Sequence, residues 1–343
     1  MINNIKKKCF IHILKSNKLL KNLLILSLAL NYFQNYLQTK KSTLKIFIMA
    51  HKDFENFRYN PVYSIVVDDK TFLKNKYNLK IVYADKGKLY KFKRSYSEIS
   101  QLYYIYTLYK NGIITSDYIG LNHYRRYFNF TDNIPDIDEI FKNHDVILNR
   151  PRHFIKGMKD QYCYRHICQN YDELINIIKD IRPEYYETAL KTIYLQKVNI
   201  CNLFIMKKKD FFDYCKFMFD ILFEFDRRHN FTSDDDVLKY VKNYYSLHKN
   251  SIRENFQGIL YQSRLESFLS ERIGNIYYYK NFKHAKLFDY GNYKNENKSI
   301  TFYSNYLKVD DNQFTLKLII KKINLINIII FCFLIFLNVL NIF

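Results

Sequence analysis

The sequence predicts an α/β layered fold with a largely parallel central sheet flanked by helices. Three observations carry this. Short apolar runs rich in Ile, Val and Phe recur along the chain; longer stretches between them place apolar residues at three- and four-residue steps; and several of the short runs end abruptly in polar or charged side chains. Strands that alternate with helices and end in charge suit a sheet whose ligands bind beyond the carboxyl ends of its strands.

Taken in order, LKIFIMAHKDF (44–54) is a first buried strand delivering a loop to a site, and YSIVV (63–67) and LKIVYAD (79–85) are further short strands. The period then changes. In YSEISQLYYIYTLYKNG (96–112), Ile99, Leu102, Tyr103, Tyr106 and Tyr109 mark one helical face, and Gly112 closes it as a C-cap glycine would. DYIGLNHYRRYF (117–128) begins as a core strand and ends in His123, Tyr124, Arg125 and Arg126; DVIL (145–148) is the next strand. Helices follow in YDELINIIKDI (171–181) and in PEYYETALKTIYLQK (183–197), where Pro183 suits a first turn. NICNLFIMKK (199–208) is a strand, DFFDYCKFMFDILFEFDRR (210–228) a long aromatic-rich helix, and SRLESFLSERIGNIYYYK (263–280) a last helix. Residues 237–260 form a polar segment, read as an inserted surface helix or loop.

The chain divides into a basic and apolar N-terminal extension (1–43), a globular domain (44–285), an Asn-, Lys- and Tyr-rich linker (286–316) and a C-terminal hydrophobic helix (317–343). INLINIIIFCFLIFLNVLNIF (323–343) has about the 20 residues that cross a bilayer as a helix. Lys317, Lys321 and Lys322 precede it, which places the domain on the cytoplasmic side of the cell membrane, anchored by that helix. The alternative is a helix lying in the interface. Near the N-terminus, LLILSLAL (23–30) follows several lysines and lacks a small-residue cleavage site, so an interfacial basic helix fits better than a signal peptide. A working domain that begins near Leu44 is the other reading.

At 343 residues and 48% hydrophobic, the chain has ample material for a core, which excludes a disordered chain. The formal charge of +21 would suggest an anionic partner, but Lys and Asn abundance with no Trp is also what AT-rich codon usage produces. Localised arginine is therefore more informative than bulk charge. The six cysteines lie without a C-x-x-C pair and read as reduced thiols of a cytosolic protein. P-loop, dinucleotide and nucleophile-elbow motifs are absent.

Arg125 and Arg126 beside His123, with Arg150 and Arg152 after the following strand, put guanidinium forks at two strand ends, a pattern suited to an anion. Ion pairing that merely holds the strand ends is the alternative. His51 and Lys52 end the first strand. Asp234, Asp235 and Asp236 offer carboxylates for Mg²⁺ or Mn²⁺, or else a solvated helix first turn after Thr232 and Ser233.

These pieces together resemble the capsular and exopolysaccharide biosynthesis domain of unknown function, a GT-A-like glycosyltransferase family. IFIMAHKDF, YSEISQLYYIYTLYKNG, DYIGLNHYRRYF, DVILNRPRHF, DQYCYRH, NLFIMKKKDFFDYCKFMFDILFEFDRR and YQSRLESFLSER carry the resemblance over residues 45–280. It implies a GT-A-like single domain that moves a sugar from a nucleotide-sugar donor, UDP first among the nucleotides, to a lipid-linked glycan acceptor at the cytoplasmic membrane surface in bacterial surface polysaccharide synthesis. Nucleic acid is not an expected partner.

By the same resemblance Ala50, His51 and Lys52 border the nucleoside, Asn202 faces the sugar, and Asn122, His123, Arg125, Arg126 and Arg152 line the donor's phosphates. GT-A strand ends usually carry an Asp-x-Asp that holds a divalent metal. This chain has His123 and Arg125 there, so the expectation is no metal ligand, with cationic side chains neutralising the leaving diphosphate. Glu271 is the expected base for the acceptor hydroxyl, with Glu98 and His166 in reserve. Two departures bear on specificity: GKLYKFKRSYSE (87–98) lacks the acidic residue that family members often carry, and residues 237–260 lengthen the presumed acceptor side. A non-catalytic binding or scaffold protein of the assembly machinery, keeping a degenerate GT-A fold, is the alternative function.

Overall fold

The computed structural model describes residues 26–27, 29–30, 42–52, 54, 62–69, 79–130, 134–248, 258–292 and 301–302. Its elements run β1 (Leu44–Ala50), β2 (Tyr63–Val67), β3 (Lys80–Tyr83), α1 (Glu98–Lys110), β4 (Tyr118–His123), β5 (Arg126–Phe128), α2 (Ile137–Ile140), β6 (Val146–Asn149) and β7 (Arg152–His153). Then come α3 (Met158–Arg165), α4 (Cys168–Ile181), α5 (Pro183–Thr192), β8 (Lys197–Val198), β9 (Phe204–Lys207), α6 (Lys208–His229) and α7 (Asp234–Leu247). Last are α8 (Gly258–Gln262), α9 (Leu265–Asn281), β10 (Ala285–Phe288), β11 (Tyr290–Asn292) and β12 (Thr301–Phe302).

The main sheet has the order β12-β10-β6-β9-β4-β1-β2-β3. Pairs β1–β2, β1–β4, β2–β3 and β6–β10 are parallel, whereas β9 is antiparallel to both β4 and β6. The sheet is thus mostly parallel in direction, as expected from sequence, with β9 as a reversed insert. Because β9 runs against both neighbours, the chain enters it at the end where β4 and β6 finish. The turn before β9 and the ends of β4 and β6 therefore share one edge of the domain.

Alternation along the strands sorts side chains between two cores. Phe47, Met49, Val66, Ile119 and Leu121 face the layer of α1, α4, α6 and α9, while Ile46, Ile48, Ala50, Ile65 and Val67 pack on the other side with Ile137 and Phe141 of the α2 region. Gly120 is required by closeness: a Cβ there would lie 2.9 Å from Ile46 and 3.0 Å from Ile205 side-chain carbons. Helix α6 buries its aromatic stripe against α1, with Tyr103 and Phe219 rings 4.7 Å apart edge to face, and ends at Asn230 in the left-handed conformation (φ 55°).

Two expectations are corrected, and one pair of alternatives is decided. Cys163 and Cys168 are joined by a disulfide, because the chain bends sharply between α3 and α4 and brings their Cα atoms to 4.3 Å; Cys201 and Cys215 are buried free thiols. The sheet also reaches past residue 285. Strand β10 pairs with β6 up to Phe288 and buries Leu287, so the start of the segment read as a linker belongs to the sheet. Finally, Asp234–Asp236 form the first turn of α7: Asp236 closes a capping box with Ser233, and Asp234 accepts the backbone N–H groups of Arg94 (2.9 Å) and Ser95 (2.8 Å). Asp234 and Asp236 are thus occupied in holding the chain, which is the first-turn reading of this run rather than the metal one. No helix among the described residues is long and apolar enough to cross a membrane, and the predicted C-terminal helix lies outside them.

Candidate active site at the strand ends

Strand parity assembles the site. Met49 of β1, Val66 of β2 and Leu121 of β4 all face α1, so His51, Asp68 and His123, each two residues further on, project to that same side at the carboxyl ends of their strands. Glu98, the first residue of α1, comes down on them, where a helix N-terminus favours a carboxylate. Donor atoms of His51, Glu98 and His123 all lie within 4.8 Å of one another.

Each group is held from behind. His51 Nδ1 is 3.3 Å from an Asp68 carboxylate oxygen, and Asp68 accepts from Gln101 Nε2 at 2.7 Å; the same Nε2 reaches the Ala50 carbonyl at 3.2 Å. Glu98 accepts from Asn202 Nδ2 (3.3 Å) and Ser267 Oγ (3.4 Å) and pairs with Arg264 (3.5 Å). Burial alone would raise the Glu98 pKa, but the charge of Arg264, first among the groups that oppose it, holds the carboxyl below its usual range.

His123 Nδ1 accepts the Arg125 backbone N–H at 3.2 Å, which closes a tight turn into β5. Burial, reinforced by His51, Arg125 and Arg126 against Glu98, pushes its pKa down to about 3. His123 is therefore neutral near pH 7. The expectation that it serves as a cation is corrected: desolvation beside two arginines makes the charged imidazole too costly.

A second group forms around the turn before β9. Cys201 (φ 77°) and Asn202 (φ 51°) both stand in left-handed backbone. Glu271 of α9 accepts the Cys201 N–H at 2.8 Å and pairs with Arg272 at 2.6 Å, Arg126 donates to Cys201 Sγ at 2.9 Å, and burial pushes the Cys201 thiol up to about 12. The Asn275 side chain accepts the Asn199 backbone N–H at 2.9 Å and donates to the Asn199 carbonyl at 2.7 Å, tying the turn to α9.

The sequence profile of a family described as a domain of unknown function (DUF4422) matches residues 45–248. The chain belongs to this family. No curated protein matches it. Among solved structures, the DUF4422 chain is similar to the apo form of the bifunctional glycosyltransferase WbbM, at 19% identity and a TM-score of 0.51, covering 78% of this chain and 48% of that one. It thus spans about half the length of that protein, and the likeness is one of fold.

Within the DUF4422 domain the residues expected from sequence divide. Ala50, His51, His123, Arg126 and Asn202 converge at the strand ends, and Lys52 and Arg125 are exposed on the rim. Arg125 lies over the Tyr124 ring at 5.1 Å. Arg152 is exposed on β7, close enough to act on the Cys201 thiol. Asn122 is buried, its Oδ1 accepting the Phe128 N–H at 3.3 Å, which makes it a brace of the β4–β5 turn. His166 sits apart, buried against Phe268 with ring centroids 3.9 Å apart and bonded to Gln262 at 3.0 Å. The sequence reading missed Asp68 and Gln101. Only the two-residue offset from Val66 could have revealed Asp68.

Proposed function

We propose that this DUF4422 protein is a glycosyltransferase that moves a sugar from a nucleotide-sugar donor, a UDP-sugar first among the candidates, to a lipid-linked glycan acceptor in surface polysaccharide synthesis. The observation that carries the reading is the convergence of Arg126 and Asn202 with the His51–Glu98–His123 group at the carboxyl ends of β1 and β4 in a GT-A-like fold, with Arg152 exposed near Cys201. Guanidinium forks at that edge suit the two phosphates of a leaving nucleoside diphosphate.

Glu271 is the proposed base. Its side chain retains 19% exposure, against 8% for Glu98 and 10% for Asp68, so of the three it is the carboxylate best open to an acceptor hydroxyl. The protein works, on this reading, at the cytoplasmic face of the membrane that holds its acceptor.

The test is release of nucleoside diphosphate by the full chain in detergent, offered UDP-, GDP- and dTDP-sugars with crude lipid acceptor. Release from one donor supports the transferase. Absence of release, with no donor bound by calorimetry, favours a binding or scaffold protein instead.

A further inference from the structure

We propose that His51, Glu98 and His123 form a binding site for one divalent transition-metal ion. Three donors from three separate elements stand within 4.8 Å of one another, and none of their sequence spacings resembles a metal motif. Their approach follows from strand parity and the seating of α1.

The independent observation is His51 Nε2. It is buried and has no hydrogen-bond partner among the described residues, although its ring partner Nδ1 is fixed by Asp68. A bare buried nitrogen costs free energy unless something takes its lone pair. Because the atom is sealed from solvent, an acceptor hydroxyl does not reach it, which argues against His51 as the base. A small cation held between His51, Glu98 and His123 would use the lone pair where it stands.

The surroundings match. A histidine ligand ordinarily gives its other ring N–H to a carboxylate, and Asp68, itself held by Gln101, is that carboxylate. Glu98 is oriented by Asn202 and Ser267. Two imidazoles and one carboxylate favour Zn²⁺, Mn²⁺ or Co²⁺ over Mg²⁺ or Ca²⁺, which take oxygen ligands.

One consequence is mechanical. The Arg125 amide now donates to His123 Nδ1. If Nδ1 binds metal, that lone pair is used; if Nε2 binds it, a neutral ring carries its proton on Nδ1. Either way the Arg125 amide loses its acceptor, so occupancy of the site is coupled to the turn that presents Arg125. A role for the ion in neutralising a diphosphate rests on the transferase reading; the site itself does not.

The test strips the full-length protein in detergent with chelator and titrates Co²⁺, following visible absorption, bound metal and melting temperature. One equivalent should bind and raise the melting temperature. His51→Ala and Glu98→Gln should abolish binding, and Asp68→Asn, which spares all three ligands, should weaken it roughly 10- to 100-fold. With Zn²⁺, hydrogen exchange at the Arg125 amide should quicken. Failure to bind Co²⁺, or unchanged binding in folded His51→Ala protein, overturns the site. Binding without release from any donor keeps the site and removes the transferase; release without binding does the reverse.

Discussion

Asn202, held at φ 51°, donates its side-chain amide to Glu98 at 3.3 Å and to Ser270 at 3.1 Å, and so joins the turn before β9 to the first residue of α1. Two costs can be separated there. Asn202→Gly keeps the left-handed backbone without strain but deletes the amide; Asn202→Ala deletes the amide and adds strain of about 1 kcal/mol. Urea denaturation should rank wild type above Gly above Ala, with Ala lowest by roughly that amount. An Ala variant as stable as Gly would show that the backbone there is not constrained.

Glu271 touches the other side of the same turn through the Cys201 N–H and is paired to buried Arg272. Glu271→Gln keeps an oxygen for the Cys201 amide while removing the proposed base. Turnover should fall by 10²-fold or more, in the range general-base catalysis supplies, with donor binding unchanged by calorimetry. A variant that turns over normally would leave Glu271 with the task of holding the turn.

Much of the architecture was legible because it rests on local patterning. The continuous apolar run LKIFIMA, a strand buried on both faces, and the three- and four-residue steps of α1 and α6 follow from burial, and they appear in one sequence. The Arg125–Arg126 end of β4 was equally visible. Sheet order was not. Because β1 pairs with both β2 and β4, Asp68 and His123 flank His51, and nothing in a linear spacing of 51, 68, 98 and 123 records it. The His123 charge state was missed for the same reason: desolvation is a property of packing. Likewise, the bend between α3 and α4 that joins Cys163 to Cys168 has no sequence pattern of its own.

Arg126 reaches across the site edge to Cys201 Sγ at 2.9 Å with one guanidinium nitrogen. Arg126→Ala should weaken nucleoside diphosphate binding by about tenfold, and Arg126→Lys should recover little of it, because a point charge does not replace a planar fork. Calorimetry at two salt concentrations checks this: loss of a phosphate contact should also flatten the salt dependence. Equal affinity in the Lys variant would argue for bulk charge instead.

Below the site, Asp226 of α6 and fully buried Glu266 of α9 face one another, with Tyr96 donating to Asp226 at 2.6 Å. Burial raises both carboxyls, Asp226 to about 6 and Glu266 well above the carboxylate range, where it keeps its proton and donates it toward Asp226. In the unfolded chain both titrate near 4. A folded pKa above the unfolded one gives stability that is complete below about pH 4 and is lost as pH rises through 6. Asp226→Asn keeps an oxygen for Tyr96 and removes the Asp226 titration while leaving Glu266 in place. Relative to wild type, the variant should gain on the order of 2 kcal/mol between pH 4 and pH 8, measured by urea denaturation at each pH. If both proteins lose stability in parallel over that range, Asp226 does not contribute the pH dependence that its raised pKa implies.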